Sequence, residues 1–276
     1  MWTWRFADGG WYYTPNRQHG LYNDSMQSDP GLALIADRIR AGARTTVLTG
    51  AGVSAASGVP TFRGADGLWR RHRPEALATP EAFHRDPALV WEWYNWRRQL
   101  VAACEPNRAH TVLAAWTRRD PQMRLITQNV DGLHERAGAE RVIRFHGSLW
   151  DVGCWEQCAR SPIRWSDHTV PFATLPPTCR HCGGLLRPGL VWFREGIDPT
   201  VLSQSEEATS CELFLTIGTS SVVYPAAGLV AQARRRGAFT VEINPDETPA
   251  SDHVDLVLRG TAEAILDAIE QHISPR

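Results

Sequence analysis

A buried run of strand-forming residues that ends in a glycine-rich turn is the feature that most limits how this chain can fold. Thr45–Thr49 reads TTVLT, and the next six residues read GAGVSA. Such a turn is typical of the junction between a parallel strand and the segment that crosses over to the next strand. Further apolar, strand-like runs follow at Leu125–Thr127, Val142–Phe145, Leu213–Ile217, Thr240–Ile243 and Leu256–Leu258.

Helical patterns separate most of these runs. Asp29-Pro30 has the residue types of an N-cap and a first helical position. Later helical patterns cover Ala109–Trp116, Ala226–Arg236 and Ala262–Ile273. Strands that alternate with helices predict an α/β fold with a Rossmann-type, doubly wound parallel sheet.

Two segments interrupt this alternation. Residues 67–104 are helical in pattern and rich in tryptophan, and residues 150–190 contain many prolines and two cysteine pairs. We expect them to form a smaller helical and zinc-binding module inserted into the sheet domain. That domain would then consist of residues 29–66, 105–149 and 191–276. Residues 1–28 show neither helix nor strand periodicity, and we treat them as an N-terminal extension.

Composition excludes several classes of protein. The 276 residues are 43% hydrophobic and 21% charged, which excludes a disordered or fibrous chain. A net charge of -1 gives no electrostatic reason to expect nucleic acid or an anionic membrane as a partner. No apolar run is long enough for a transmembrane helix, and the first 30 residues lack the pattern of a secretory signal. We therefore expect a cytoplasmic protein.

The cysteines have the spacing of a metal site. Four of the six form two close pairs: Cys154, Cys158, Cys179 and Cys182. Pairs of this kind suit one tetrahedral Zn²⁺, and four thiolates leave no open coordination position, so the zinc would be structural. Free thiols or disulfides are the alternative. Cys104 and Cys211 lie outside the cluster and have the character of ordinary buried thiols.

Polar residues follow three of the predicted strands. Thr127–His134 reads TQNVDGLH, His146 follows the next run, and Gly218 begins the segment GTSS. Ligands of open α/β sheets bind at the carboxyl ends of the strands, so these groups indicate sites for ribose, phosphate and a general base. Each has a plainer explanation as well: an Asx-type turn, a structural histidine or a simple N-cap.

In combination these motifs identify a family. GAGVSAASGVPTFR, TQNVDGLH, FHGSLW, the four cysteines, GTSSVVYPA and VEIN occur in this order and closely resemble the sirtuins, the NAD-dependent protein-lysine deacylases. The resemblance covers about residues 29–273. It implies a Rossmann-type domain and a small zinc module, with NAD as co-substrate, one structural zinc ion, and acyl-lysine proteins or peptides as substrates.

The resemblance also implies roles at the NAD site. The pyrophosphate side would be held by Gly50, Ala51, Gly52 and Ser54. Phosphate, ribose and the adenosine end would be served by Gly218, Thr219, Ser220, Asn244 and Ala262. Near the nicotinamide, Phe62 and Arg63 would belong to a mobile loop, Gln128 and Asn129 would bind the ribose, and Asp131 would bind the carboxamide.

By the same resemblance, His146 would be the general base, with Asn129 and Asp131 completing the catalytic group. The acyl oxygen attacks C1′ of the ribose as nicotinamide leaves, and His146 then deprotonates the ribose hydroxyl that attacks the resulting imidate. The products would be free lysine, nicotinamide and O-acyl-ADP-ribose. An imidazole with an ordinary pKa of about 6.5 predicts a rate that rises between about pH 6 and pH 8.

A subgroup signal is present in residues 77–97. Ala78, Tyr94 and Arg97 match the acyl pocket of sirtuins that remove negatively charged acyl groups. Tyr94 and Arg97 lie three residues apart and would share a helix face, where Arg97 can bind a carboxylate bidentately. The resemblance therefore implies a desuccinylase or demalonylase that also deacetylates. Without the family resemblance, the simpler explanation of this segment is a tryptophan-rich core helix with a solvated arginine.

Two features depart from the family pattern. The first cysteine pair is separated by three residues, where the family usually has two. In the segment that would pair with the peptide substrate, Val191-Trp192-Phe193, the next residue is Arg194, where the family usually has glycine. A long side chain there would crowd the peptide or contact acidic residues that flank the lysine.

Two other functions compete with deacylation. One is a sirtuin-like ADP-ribosyltransferase or NAD hydrolase, and the other is a non-catalytic NAD-responsive binding protein. His146 and the acyl-pocket residues argue against the first, and the intact TQNVD segment argues against the second.

Overall fold

The structure is a computed structural model that describes residues 3–7, 10–14, 29–61 and 74–274. Its centre is a six-stranded, all-parallel sheet. The strands of this sheet are β3 (Thr45–Thr49), β4 (Arg124–Thr127), β5 (Val142–Arg144), β9 (Leu213–Ile217), β10 (Phe239–Ile243) and β11 (Leu256–Leu258). Their order across the sheet is β11-β10-β9-β3-β4-β5. The predicted doubly wound parallel sheet is thereby confirmed.

Helices cover both faces of this sheet. The helices of the sheet domain are α1 (Pro30–Arg40), α5 (Arg108–Arg119), α6 (Leu133–Arg136), α7 (Pro199–Ala208), α8 (Gly228–Arg235) and α9 (Ala262–Ile273). One core cluster joins α1, α5 and α9 to the sheet through residues such as Leu32, Leu113 and Ile265. The opposite face packs against α7 and α8 around Phe214. Every residue of β3 and β9 is buried, as a strand covered on both faces requires.

The start of α1 follows the sequence prediction. Asp29 is the N-cap, and its carboxylate accepts a hydrogen bond from the Gly31 backbone N–H at 2.8 Å, while Pro30 occupies the first helical position. The segment after β3 differs, because Ala51–Ser57 forms a short 3₁₀ helix. The segment after β9 differs too, since α8 begins only at Gly228 and residues 218–221 form a loop.

The two interrupting segments form one smaller module. It contains α2 (Pro74–Leu77), α3 (Pro80–Arg85), α4 (Pro87–Ala102) and an antiparallel sheet of β6 (Gly147–Cys154), β7 (Trp165–Ser166) and β8 (Leu186–Leu190) in the order β7-β6-β8. The Trp91 indole on α4 donates to the Leu186 carbonyl at 2.7 Å. The buried Arg98 guanidinium donates to the Leu149 carbonyl at 3.3 Å and lies 4.7 Å from the Phe172 ring centroid. These contacts fix α4 to the small sheet.

The N-terminal extension contains regular structure that its sequence did not predict. Thr3–Ala7 (β1) and Gly10–Thr14 (β2) pair as an antiparallel hairpin. In the described part of the chain, no helix has both the length and the apolar character needed to cross a bilayer.

The strand order reverses direction between β3 and β9. From β3 the chain proceeds to β4 and β5 on one side, and from β9 to β10 and β11 on the other. Such a reversal opens a crevice at the carboxyl ends of the two central strands, which is where ligands of open α/β sheets bind. The functional site is therefore expected above β3 and β9.

Candidate active site

A cavity of about 1380 Å³ lies at this reversal and extends between the sheet domain and the smaller module. Its lining includes Gly50 after β3, Gln128 after β4 and Thr219 after β9, with Tyr94 and Trp192 on the side of the smaller module. The cavity is large enough for a dinucleotide together with an extended acyl-lysine side chain.

Glycines let the loops after β3 and β9 touch. A Cβ on Gly50 would lie 2.7 Å from the Thr219 Cα, and one on Gly52 would lie 2.8 Å from the Gly218 Cα. The Gly52 N–H donates to the Gly218 carbonyl at 2.8 Å, and Gly218 has a φ of 59°. The absence of a Cβ at these positions lets the two loops touch, and the predicted approach of these glycines to pyrophosphate stays a prediction.

Thr219 holds the polar ends of three strands together. Gln128 donates through Nε2 to its hydroxyl at 2.9 Å, and Asn244 donates through Nδ2 to its carbonyl at 2.8 Å. Gln128 follows β4 and Asn244 follows β10, so side chains from the strands on either side of the central pair, β3 and β9, converge on the loop after β9. This arrangement provides a rigid polar rim at the carboxyl edge of the sheet.

His146 lies between β5 and β6 and faces the cavity. Its Nδ1 is 3.1 Å from the Gln128 carbonyl oxygen. Because a carbonyl only accepts, Nδ1 carries the proton, and Nε2 is left as the basic nitrogen. Burial lowers the pKa of His146 below 6.5, against a smaller opposing effect of this hydrogen bond. The imidazole is therefore neutral and able to accept a proton at pH 7.

Ser54 lies behind the wall of the cavity, and its predicted role on the pyrophosphate side stays a prediction. Its side chain is fully buried and does not line the cavity. Its hydroxyl donates to Asp131 Oδ2 at 2.8 Å and accepts from Asn129 Nδ2 at 3.2 Å. His110 Nε2 lies 3.2 Å from the same hydroxyl, and the Asn107 N–H donates to His110 Nδ1. Ser54 thus orients Asp131 and Asn129 from behind.

Asp131 is held by two further contacts. Its Oδ1 accepts from the Leu133 N–H at 2.9 Å, which is the Asx-type turn that the sequence left open as an alternative. Its carbonyl accepts from the Trp150 indole at 2.6 Å. Burial raises the pKa of Asp131, and the hydrogen bonds from Leu133 and Ser54 oppose this effect. Asp131 does not line the cavity as the structure stands.

The opposite end of the cavity is aromatic and cationic. The Arg97 side chain is only 7% exposed, and its guanidinium carbon lies 4.9 Å from the Trp93 ring and 5.9 Å from the Tyr94 ring. The Tyr94 hydroxyl accepts from the Trp192 indole at 3.0 Å. Burial raises the pKa of Tyr94 to about 12, so the phenol keeps its proton and can donate. Ala78 lines this end too.

The structure brings most of the predicted site residues to one cavity. Those that line it are Gly50, Ala51, Gly52, Gln128, Asn129, His146, Gly218, Thr219, Ser220, Asn244, Ala262, Ala78, Tyr94, Arg97, Val191, Trp192 and Phe193. Phe62 and Arg63 lie outside the described residues. Sequence reasoning missed Trp93 and His110. Trp93 had a signal, since it lies one helical turn before Arg97, but nothing in the sequence linked His110 to Ser54.

The four cysteines form the predicted metal cluster. Their sulfur atoms all lie within 4.8 Å of one another. Two of the distances are 3.6 Å, between Cys154 and Cys182, and 3.9 Å, between Cys158 and Cys179. Four sulfurs tetrahedrally arranged about 2.3 Å from a zinc ion lie about 3.8 Å apart, so the cluster fits one structural Zn²⁺. Gln157, which lies between Cys154 and Cys158, has a left-handed backbone conformation with a φ of 48°.

Arg194 lies in a tight turn that would favour glycine. The Glu195 N–H donates to the Trp192 carbonyl at 3.1 Å, and Arg194, the third residue of this turn, has a φ of 73°. A turn with positive φ at that position is of type II and normally contains glycine or asparagine there. An arginine in this backbone conformation costs about 1–2 kcal/mol, so the family departure has a local energetic cost.

Comparison with known proteins decides the family. The model of the Sir2 family matches residues 50–225. The chain belongs to the Sir2 family. It is 48% identical over 227 residues to an NAD-dependent protein deacylase of Aquifex aeolicus, which covers 82% of this chain and 93% of that protein. A deacylase of Archaeoglobus fulgidus is also 48% identical, over 82% of this chain and 91% of that protein.

Solved Sir2 structures have the same fold. A point mutant of a Sir2 homologue in complex with ADP-ribose superposes with a TM-score of 0.81 at 43% identity, and covers 89% of this chain and 96% of that chain. A Sir2 homologue in complex with NAD has a TM-score of 0.79 at 44% identity, over 89% and 94% of the two chains. As a Sir2-family member, the present chain is an NAD-dependent enzyme of the class to which these deacylases belong.

Proposed function

We propose that this Sir2-family enzyme is a protein-lysine deacylase that prefers succinyl- or malonyl-lysine and also removes acetyl groups. The observation that carries the acyl preference is the buried Arg97 guanidinium at the cavity end next to Tyr94. Burial of this cation disfavours its charged form, an effect that Tyr94 and Asp131 already oppose, and an acyl carboxylate would oppose it further. The rest of the proposal rests on His146, which lines the same cavity as Arg97 and the polar rim of the sheet.

The acyl end has the donors that a carboxylate requires. Trp93 and Tyr94 stack against Arg97 and restrict its motion, so little side-chain freedom is lost when a carboxylate binds. Tyr94 already accepts a hydrogen bond from Trp192, and its own O–H can point to the acyl group. A guanidinium and a phenol from the lining of the cavity favour a short dicarboxylic acyl chain over acetyl.

At the other end, the polar rim would hold NAD. NAD supplies a ribose carbon that becomes electrophilic as nicotinamide departs. Gln128 and Asn129 would bind the ribose hydroxyls, while the loops at Gly50–Gly52 and Gly218–Ser220 would face the phosphates. Ser54 keeps Asp131 and Asn129 oriented through its three hydrogen bonds. His146, with Nε2 basic, would accept the proton of a ribose hydroxyl.

The test uses matched peptides that differ only in the acyl group. We expect the wild-type enzyme to prefer succinyl- over acetyl-lysine by about 10- to 150-fold in kcat/KM, because charge-assisted hydrogen bonds contribute about 1.5–3 kcal/mol. Arg97→Met should lose most of the succinyl activity while acetyl activity stays level or rises. Equal losses on both substrates would show that Arg97 does not bind the acyl carboxylate.

Product analysis in the same assay separates deacylation from the competing functions. O-acyl-ADP-ribose and free lysine in equal amounts would support the proposal. Free ADP-ribose without deacylated peptide would indicate NAD hydrolysis, and ADP-ribose attached to protein would indicate transferase activity.

A further inference from the structure

Two segments that line the cavity meet through their backbones. One is the loop from Ala78 into α3, and the other is the turn Trp192–Glu195 that follows β8. The Phe193 N–H donates to the Ala78 carbonyl at 3.0 Å and joins the two backbones. We call this pair of segments the channel mouth. A peptide with its lysine in the cavity would have its flanking residues next to it.

Arg194 is the exposed cation of the channel mouth. Its side chain is 65% exposed, and its Nη1 lies 3.6 Å from Glu81 Oε1 of α3, a side chain that is itself 58% exposed. The other acidic group of the turn, Glu195, is already held by Arg187 at 2.6 and 2.9 Å and by the Trp192 N–H at 2.8 Å. Glu81 is therefore the carboxylate that competes for Arg194 at this place.

We propose that Arg194 is a specificity-determining residue that selects acyl-lysines flanked by acidic residues, with Glu81 as its internal competitor. Three observations support this. Arg194 occupies a left-handed turn position that glycine would occupy without strain, and strain that is retained beside a binding site is a reason to look for a role. Arg194 is one of the residues that line the same cavity as His146. Its ion pair with Glu81 is long and solvated, and such pairs are weak.

This inference rests on the proposed deacylase function but not on the acyl preference. The experiment measures kcat/KM for succinyl-lysine peptides that carry Glu or Gln at one of the two positions before or after the lysine. An exposed charge pair changes binding by a few-fold, so we expect the wild type to prefer Glu by about 2- to 5-fold at one or more positions. The preference should shrink in high salt because the pair is screened.

Three variants separate the causes. In Arg194→Gly the Glu-to-Gln ratio should fall to about one, whereas in Glu81→Gln it should rise, because the competing carboxylate is gone. Arg141→Gly is the matched control, since Arg141 is another arginine with positive φ (54°) and does not line the cavity; its ratio should equal that of the wild type.

The outcomes are decisive in both directions. Equal ratios in the wild type and Arg194→Gly, or no preference for Glu at any position, would overturn the proposal. A ratio that falls in Glu81→Gln would overturn the role of Glu81 as a competitor. If the wild type turns over acetyl but not succinyl peptides, the acyl preference fails, and the same ratios measured on acetyl peptides still test Arg194.

Discussion

The two ends of the cavity differ in whether backbone or large side chains form their walls. At the β3–β9 end the wall consists mainly of backbone and small side chains, such as Gly52 and Gly218, whose loops touch. At the other end it consists of Trp93, Tyr94 and Arg97, which reach the cavity from α4. A substitution leaves the backbone N–H and C=O groups of the first wall in place. In the second wall, each substitution changes a side chain that faces the ligand. The first end is therefore suited to a constant ligand and the second to a variable one.

The helical end shares a hydrophobic core with two of the metal-binding cysteines, Cys154 and Cys179. We expect Cys179→Ser to lose the metal and to lower the melting temperature and the deacylase activity together. The reason is that zinc binding by four thiolates contributes on the order of 10 kcal/mol or more, most of it as folding free energy of the loop. Metal analysis and thermal unfolding measure this, with Cys104→Ser as the control outside the cluster. Metal-free protein with full activity would contradict the assignment.

His146 lines the same cavity and, as the proposed base, should affect both substrates alike. His146→Ala should lower kcat for succinyl- and acetyl-lysine peptides by about 10²–10⁴-fold, the usual contribution of a general base. NAD affinity, measured by calorimetry, should change little because most of the polar rim is untouched. A variant with near-wild-type turnover would show that another group accepts the proton.

The pH dependence of the wild type sharpens this point. Burial lowers the pKa of His146 below 6.5, and the imidazole is a base only when neutral. The rate should therefore fall as the pH drops through this lowered pKa and should be nearly flat around pH 7 and above. An ordinary histidine would give a rate that rises between about pH 6 and pH 8, and the lowered pKa moves this rise to lower pH. A rate profile with its midpoint above pH 7 would contradict the neutral state.

A substitution that fills the space between the two loops tests whether their contact is needed for stability and for NAD binding. Gly52→Ala places a Cβ 2.8 Å from the Gly218 Cα, which is backbone and cannot move away cheaply. We expect a loss of stability of about 1–3 kcal/mol and a higher KM for NAD, with the ratio of succinyl to acetyl activity unchanged. Gly228→Ala is the control, because its added Cβ would meet only ordinary contacts at 3.7 Å. A changed acyl ratio would mean that the two ends are coupled.

Sequence reasoning predicted the sheet well because its strands are buried on both faces and carry a strong apolar signal. It predicted the cysteine cluster because the spacing of metal ligands is local. It did not predict where Ser54 points, since burial against His110 and Asp131 depends on contacts between residues that are distant in the chain. For the same reason it did not predict the contact between the glycines after β3 and the loop after β9.

The smallest expected effect concerns one hydroxyl at the helical end. Tyr94 accepts from the Trp192 indole at 3.0 Å and, in the proposed complex, donates to the acyl carboxylate. Tyr94→Phe should therefore have two effects. It leaves the buried indole N–H without this acceptor, which should lower stability by about 1–3 kcal/mol whatever the substrate. It also removes one donor to the succinyl group, which should lower succinyl kcat/KM by about 2- to 10-fold more than acetyl kcat/KM. Matched peptides at a temperature well below the unfolding midpoint separate the two, because lost stability reduces both activities equally there. If the two activities fall by the same factor, the hydroxyl of Tyr94 only supports Trp192, and Arg97 alone distinguishes the acyl end from the other.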